Sequence, residues 1–289
     1  KRNIANFGVS YSRNRGIFLC KDTDYITFLD ADDTINSDFL LASLENLWGD
    51  LVLFNFRYID NGVAKEQTFY NHDKALPNEE ISDYILSYYD RPNIKSMFTT
   101  CWAKLYRTRI LLEKSNAVFN EKMHLCEDTD FVFRFLSKQE KGVQFINENL
   151  YDHFRSVGNE NFTKATFATN LDLKNQLCFV QAVRSSRSFM VRNKTDSQIL
   201  EAKILQCLGA YLMIYTIRSC MQIVSLRQFF GVLSFWSKIY NRPLFRRSIN
   251  SYSAKIANGN KFLPFLVRNR FYFLSIVVAF YLCRRRYFR

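Results

Sequence analysis

The chain has 289 residues, of which 48% are apolar and 16% aromatic, and it carries 40 Lys and Arg against 27 Asp and Glu. This content supports a packed core and excludes a disordered, collagen-like or low-complexity protein. The seven Cys include no CxxC pair, which argues against a zinc ribbon or a disulfide framework and favours a reducing compartment.

The net charge of +13 is concentrated at one end of the chain. Residues 202–289 contain 15 Lys and Arg and no Asp or Glu, whereas residues 1–201 contain the other 25 basic and all 27 acidic residues. This asymmetry indicates an anionic partner, either a nucleic acid or an anionic membrane surface. Because no helix-turn-helix, zinc-finger or RNA-binding fingerprint accompanies the charge, we expect the membrane surface and no nucleic acid.

The chain up to residue 154 is predicted to alternate between helices and strands, because short apolar runs alternate with segments of helical periodicity. In chain order, we predict a helix over 7–19, a strand over 25–29, a helix over 38–48, a strand over 51–58, a turn at Asn61-Gly62, a helix over 79–90, a strand over 98–106, helices over 108–115 and 127–138, and short strands over 143–146 and 150–154. This alternation is typical of an α/β fold.

The chain beyond residue 165 is predicted to be helical throughout. Residues 198–217 place Ile204, Leu208 and Leu212 on one stripe, and residues 222–240 are aromatic-rich and basic. A polar, Asn-rich stretch at 158–161 separates the two patterns. We therefore expect an α/β domain over 1–160 and a helical, basic, membrane-associating region over 161–289.

An uncharged and mostly apolar segment covers residues 271–283. At 13 residues it is shorter than the roughly 20 that span a bilayer as a helix, and it is flanked by Arg268 and Arg270 on one side and Arg284–Arg286 on the other. This pattern predicts a helix that lies on or inserts shallowly into a membrane. The alternative is a buried core helix with a solvated basic end.

The predicted strand over 25–29 ends in Asp30-Ala31-Asp32-Asp33. Carboxylates at the C-terminal end of a strand face the crevice in which α/β proteins bind ligands. Mg²⁺ or Mn²⁺ prefers such oxygen ligands and is commonly completed by substrate phosphates. The motif therefore predicts a site for a metal and a diphosphate, with an acidic turn that caps the next helix as the alternative.

A second acidic motif, Glu127-Asp128-Thr129-Asp130, opens a predicted helix. One of its carboxylates is a candidate general base that takes a proton from a hydroxyl. The alternative is that these acids only complement the positive end of the helix dipole.

Residues 6–17 read Asn-Phe-Gly-Val-Ser-Tyr-Ser-Arg-Asn-Arg-Gly-Ile. Arg13 and Arg15 are candidates to pair with phosphate, and Asn6, Ser10 and Asn14 are candidates to fix a sugar or a base. By itself this segment is equally consistent with a loop that enters a solvated helix.

Taken together, these motifs resemble the inverting family 2 glycosyltransferases. The matching stretches are NFGVSYSRNRGI (6–17), YITFLDADDTINSDFL (25–40), WAKLYRTRILLE (102–113) and CEDTDFVFRFLS (126–137), in the family's order and spacing. The resemblance implies the α/β GT-A fold, a Rossmann-like mixed sheet flanked by helices, here followed by the C-terminal helical basic region. It covers about residues 1–155.

The resemblance also implies roles for individual residues. Asp32 would bind the metal, Mn²⁺ or Mg²⁺, on the diphosphate, and Asp30 would contact the nucleotide ribose or the metal shell. Asp128 would be the catalytic base, supported by Glu127. The remaining assignments are Asn6, Arg13 and Arg155 to the donor nucleotide, and Trp102, Lys104 and His153 to the acceptor side. The alternative for these last three is a core tryptophan, a solvated lysine and a structural histidine.

The implied activity is transfer of a sugar from a nucleotide-diphosphate sugar to an acceptor hydroxyl with inversion. Combined with the charge of the tail, it suggests a lipid-linked glycan as acceptor, extended at the cytoplasmic face of the cell membrane in bacterial surface polysaccharide synthesis. The family normally opens with a strand of the VSVIIPVYN type and a second strand that hold the nucleotide base. The sequence from Lys1 onward lacks these strands, so we expect either a fragment of a longer protein, N-terminally incomplete and inactive alone, or a remnant that lacks activity.

Two other functions remain open. Residues 26–34 also fit the hhhhDxDxT opening of haloacid-dehalogenase-type phosphatases, with Asp30 as nucleophile and Asp32 as acid and base, although that leaves residues 6–17 unexplained. The chain is also consistent with an inactive, membrane-bound scaffold or partner subunit.

Overall fold

The computed structural model describes residues 4–36, 46–92, 94–114, 117–155 and 171–287. The chain divides into two compact units, which are discontinuous in sequence. Unit 1 comprises residues 1–83, 96–157 and 185–194, and unit 2 comprises residues 84–95, 158–184 and 195–289. The predicted domain boundary at 160/161 falls outside the described residues.

Seven strands of the described chain form one mixed sheet in unit 1. They are β1 Tyr25–Ile26, β2 Thr34–Ile35, β3 Leu51–Asp60, β4 Val63–Gln67, β5 Lys74–Leu76, β6 Lys104–Arg107 and β7 Val143–Arg155. The main order is β1-β6-β3-β7-β2, with β4 added to β3 and β5 added to β7. Strands β3 and β7 run parallel, and the other pairs are antiparallel. The predicted mixed sheet is therefore confirmed.

The helices of the described chain follow in order. They are α1 Val9–Leu19, α2 Asn78–Asp90, α3 Thr108–Glu113, α4 Glu127–Leu136, α5 Leu173–Ser185, α6 Arg187–Arg192, α7 Ser197–Ser219, α8 Leu226–Tyr240, α9 Pro243–Ser251, α10 Phe262–Arg268 and α11 Tyr272–Tyr287. Helix α4 packs on the sheet, since Phe131 and Phe135 bring their rings to 5.0 and 5.1 Å from that of Tyr106 in β6. The predicted helical character beyond residue 165 holds throughout 173–287.

The hairpin between β3 and β4 forms where Asn61-Gly62 predicted a turn. Both residues have positive φ, 49° and 78°, the combination that a two-residue type I′ turn requires. The first six residues of β3 are buried, as expected for an apolar run that lies inside a sheet covered on both faces.

Four predicted strands differ from the observed ones. The strand over 25–29 ends at Ile26, and the strand over 98–106 begins only at Lys104 because Ala103 has a left-handed φ of 54°. The two strands over 143–146 and 150–154 are one strand, β7, in which a register shift opposite Phe54–Phe56 accommodates extra residues. Most of the predicted helix over 38–48 lies outside the described residues.

Unit 2 is built around α7 and the 3₁₀ turn Cys220–Gln222 that extends it. The span Ser197–Gln222 is long and apolar enough to cross a membrane by composition, but 72% of its most apolar window is buried in the chain, as in a core helix. Helix α7 approaches α9 so closely at Gly209 that a Cβ there would lie 2.8 Å from the carbonyl oxygen of Ser248. Only glycine fits this position without a shift.

Candidate active site

An ionic cluster joins three segments that are far apart in sequence. Arg13 of α1 places Nη1 2.6 Å from Oδ1 of Asp128 and Nη2 2.8 Å from Oδ1 of Asp30. Oε1 of Glu127 lies 3.9 Å from the same guanidinium. The structure thus brings together four of the residues that sequence analysis selected, and we call Arg13, Asp30, Glu127 and Asp128 the Arg13 cluster.

Aromatic packing positions the carboxylates of this cluster. The ring of Phe28 stands edge-on to Phe119 at 5.2 Å and to Phe131 at 5.6 Å, while Phe119 and Phe131 stack at 4.0 Å. Phe28 precedes Asp30 by two residues, and Phe131 lies about one helical turn after Asp128. Packing of Phe28 on Phe131 therefore brings Asp30 to the N-terminus of α4.

The N-terminus of α4 holds Asp128 in a defined orientation. Cys126 precedes the helix in a left-handed conformation, with φ 57°, and the backbone N–H of Cys101 donates to Oδ2 of Asp128 over 3.3 Å. Both carboxylate oxygens of Asp128 therefore have a donor, one from Arg13 and one from Cys101. The helix dipole also favours negative charge here.

The Arg13 cluster contains three carboxylates and one guanidinium, and it is partly buried. Burial, reinforced by the charge of Asp128, raises the pKa of Glu127. Burial also raises the pKa of Asp30, outweighing the opposite influence of Arg13. Burial alone would lower the pKa of Arg13, but Asp128 and Asp30 together hold it above its ordinary value. The cluster therefore favours the binding of additional positive charge.

A second network centres on Asp33, which is buried. Its carboxylate accepts hydrogen bonds from the hydroxyl of Tyr151 at 2.6 Å and the backbone N–H of Phe154 at 2.9 Å, and Nδ1 of His153 lies 3.0 Å away. The Tyr151 hydroxyl in turn accepts from the backbone N–H of Asp30 at 3.1 Å. Asp33 thus ties the acidic turn to β7. In the sequence, Asp33 is recognisable only as part of an acidic turn that could cap a helix, and no motif marks Tyr151.

Trp102 completes this network from the side. It is 6% exposed, and its ring lies parallel to those of Tyr151 at 4.7 Å and His153 at 5.2 Å. Tyr151 and His153 share a face of β7 because strand side chains alternate, which is the signal that could have found Tyr151. The burial agrees with the core-tryptophan alternative. An acceptor-side role for Trp102 and His153 stays a prediction.

Lys104 is not the solvated lysine that sequence analysis considered. It is 3% exposed, and Nζ donates to Oγ1 of Thr100 at 3.1 Å and to the carbonyl of Trp102 at 3.2 Å. Burial lowers the pKa of Lys104 to about 8. The side chain therefore points into unit 1, and its assignment to the acceptor side stays a prediction.

The candidates near the N-terminus have different surroundings. Asn6 is exposed, and its Oδ1 accepts from the N–H of Gly8 at 3.0 Å. Asn14 is buried and exchanges two hydrogen bonds with the backbone of Phe119, at 3.0 and 2.8 Å. Asn14 thus anchors α1 rather than facing a sugar or a base. Arg155 ends β7, and its side chain lies outside the described structure.

The acidic turn fits a divalent cation that substrate helps to hold. Among the described residues no group of three or more His, Cys, Asp and Glu could bind a metal. Asp32, however, is exposed on the turn, two residues after Asp30 of the Arg13 cluster. One carboxylate completed by waters and diphosphate oxygens is a common donor set for Mg²⁺. Asp32 would hold the cation.

Comparison with known proteins gives one family and one fold. The family model described as Glycosyl transferase family 2 matches residues 1–113. The fold is similar to that of S. aureus TarS 1–349, with a TM-score of 0.57 and 15% identity over 99% of this chain and 74% of that one. The fold is also similar to that of S. aureus TarS 1–349 in complex with UDP. Here the TM-score is 0.54 and the sequence identity 15%, over 98% of this chain and 73% of that one. No curated protein matches in sequence.

The two comparisons are consistent with the fold and the candidate site described above. The family match covers α1, the acidic turn and β6, and the structural likeness extends over both units. The predicted fold class and family resemblance are therefore confirmed. Residues 1–113 therefore resemble the family 2 glycosyltransferases, and the fold of the chain is of the GT-A type.

Proposed function

We propose that this protein transfers a sugar from a nucleoside-diphosphate sugar to an acceptor hydroxyl with inversion at the anomeric carbon. The observation that carries the proposal is the Arg13 cluster, which combines a candidate base, Asp128, with Asp30 of the acidic turn around one guanidinium. The UDP complex of the structurally similar TarS supports a nucleotide donor and makes UDP-sugars the first candidates.

The side chains suit an in-line displacement. Asp128, oriented through both oxygens by Arg13 and Cys101, takes the proton of the acceptor hydroxyl as its oxygen bonds to the anomeric carbon. The bond from that carbon to the diphosphate oxygen breaks on the opposite face, which inverts the configuration. A cation held by Asp32 would neutralise charge on the leaving diphosphate.

Arg13 contributes in two ways. It orients Asp128 before reaction, and its charge lies where an anionic diphosphate would approach Asp30. Glu127 lies beside the same guanidinium, with Oε1 3.9 Å from Nη1 of Arg13. Preorganised charge of this kind acts without reorganisation during the reaction.

For the acceptor we propose a lipid-linked glycan at the cytoplasmic face of the membrane, in bacterial surface polysaccharide synthesis. The support is the acid-free, basic segment 202–289, which would keep the protein near anionic lipids. The chemistry of the Arg13 cluster requires only a hydroxyl nucleophile, so it is compatible with this acceptor.

The test is an assay of the complete gene product with a panel of nucleotide sugars in Mn²⁺, Mg²⁺ or EDTA. We expect metal-dependent release of the nucleoside diphosphate from one donor, and NMR of the product should show the inverted anomer. Phosphate release from a monoester without nucleotide would instead support the phosphatase alternative. Nucleotide binding without release, with a lipid-linked acceptor present, would support the scaffold.

A further inference from the structure

The last helix of unit 2, α11, exposes an apolar face. The exposed side chains are Phe273 (54% exposed), Leu274, Val277 and Tyr281. Their spacing of one, three and four residues places them on one side of the helix. The other side is buried and consists of Ser275, Ile276, Ala279 and Cys283. The helix is thus held in unit 2 by one face while its other face presents apolar groups to solvent.

Helix α8 extends this surface. Leu226 and Phe230 are exposed, and the neighbouring Phe229 brings its ring to 5.4 Å from that of Phe273. The exposed start of α8 therefore lies beside the exposed start of α11. We call the combined surface the C-terminal apolar face and define it by Leu226, Phe230, Phe273, Leu274, Val277 and Tyr281. Contiguous apolar surfaces of this kind commonly mark interaction sites.

The segment that carries this face has charges of one sign. Residues 202–289 contain no acid, and Arg227 and Arg285 are exposed next to the two ends of the face in sequence. Other cations of the segment are used inside unit 2, since Arg246 and Arg268 donate to backbone carbonyls. An apolar surface carried by a basic segment without acids complements a layer of anionic headgroups above acyl chains.

We propose that the C-terminal apolar face docks on an anionic lipid bilayer, with its aromatic and aliphatic side chains at the acyl boundary and Arg227 and Arg285 among the headgroups. Helix α11 has 16 residues and is thus about 24 Å long, so it suits an orientation along the surface rather than across it. The inference deepens the proposed function by naming the surface that brings the protein to a lipid-linked acceptor.

The test is sedimentation of the full protein with vesicles of phosphatidylcholine alone or mixed with phosphatidylglycerol. It uses no nucleotide sugar, so it can fail separately from the proposed catalysis. We expect binding to the anionic vesicles and about tenfold weaker binding of the double variant Phe230→Ser/Phe273→Ser, since each ring loses transfer from water. The matched control is Ile199→Ser, a change at a side chain that is also 54% exposed and lies in α7.

The charge is tested in the same assay. Arg227→Gln/Arg285→Gln should weaken binding and reduce its salt dependence, whereas Lys255→Gln, at an exposed cation outside the face, should do neither. Circular dichroism should show that all variants remain folded. Equal binding by the Phe230/Phe273 and Ile199 variants would overturn the proposal. So would an oligomer that the Phe230/Phe273 variant dissociates, because a second copy would then cover the face.

Discussion

The two units bury polar side chains of different kinds. Among the described residues, the buried charged groups all belong to unit 1 and are Asp33, Asp50, Lys104 and Asp130. Where the structure describes unit 2, its buried polar side chains are neutral and are Gln176, Gln206, Thr216, Ser219, Ser248 and Ser275. A buried charge is tolerated only with ordered partners, so unit 1 holds its charges in fixed places.

Unit 2 uses its neutral polar groups to join helices. The Gln206 side chain accepts from the N–H of Ser253 at 2.6 Å, and the indole of Trp236 donates to Ser219 at 2.8 Å. Such bonds fix helix positions without the large desolvation cost of an ion. We infer that chemistry that depends on fixed charges takes place in unit 1, whereas the buried polar groups of unit 2 stabilise helix packing. The following predictions test that division.

The largest effect is expected for Asp128→Asn. An amide cannot take the acceptor proton, so turnover should fall about 10²–10⁴-fold. Asp83→Asn, an exposed acid of α2, should leave turnover unchanged. The measurement is nucleoside-diphosphate release at saturating donor. Comparable turnover in the two variants would show that Asp128 is not the base.

Asp33→Asn should lower kcat/KM for the donor by about 10–100-fold, because the amide cannot accept all the bonds from Tyr151, His153 and Phe154 that align the acidic turn. The control is Asp152→Asn on the opposite face of β7, where the carboxylate pairs with the partly exposed Arg57. Asp33→Asn could instead lower the melting temperature while leaving KM and kcat unchanged at temperatures well below it. In that case Asp33 would have a structural role only.

Lys104→Met should change how stability depends on pH. The pKa of Lys104 is about 8 in the folded state, compared with the ordinary value of 10.5 that applies in the unfolded state. Between pH 8 and pH 10.5 the unfolded state therefore binds a proton that the folded state lacks. The free energy of unfolding should therefore rise with pH across this window, by up to about 3 kcal/mol. The Met variant should lack this rise. Urea unfolding between pH 7 and 10 measures this rise. The same pH dependence of the free energy of unfolding in the unmodified protein and the Met variant would refute the prediction.

Gly209→Ala should destabilise unit 2 by about 1–3 kcal/mol, because the new methyl group would overlap Ser248 and Tyr252. Gly231→Ala is the matched control in α8, where nothing lies within 4 Å, and it should stabilise the helix by up to about 1 kcal/mol. Urea unfolding compares the two. An increase in the free energy of unfolding of both variants would mean that α7 and α9 are not packed as described.

Local patterns predicted much of the fold. The strand β3, the turn at Asn61-Gly62 and the helix that opens at Glu127 depend on apolar runs, turn chemistry and acids in a first turn, all of which act between neighbours in sequence. The left-handed Ala103 had no such signal, and β6 is therefore shorter than the predicted strand over 98–106.

The residues of the site could be predicted from the sequence, but the pairs that they form could not. Asp30, Arg13 and Asp128 stood out as motifs, yet their mutual ion pairs depend on packing between Phe28 and Phe131. Likewise the partner of Asp33, Tyr151, lies 118 residues away and is fixed by sheet register. Pairings of this range follow from tertiary structure, which residue spacing does not encode.

The most direct test of the central claim is the binding of Mn²⁺ by the protein, followed by electron paramagnetic resonance of the free ion with and without UDP. If the acidic turn of unit 1 is the donor site, UDP should strengthen Mn²⁺ binding, and Asp32→Asn should abolish that gain while Asp22→Asn, at an exposed acid outside the turn, keeps it. Mn²⁺ binding that does not change when UDP is added, or a gain from UDP that survives in the Asp32 variant, would contradict the account.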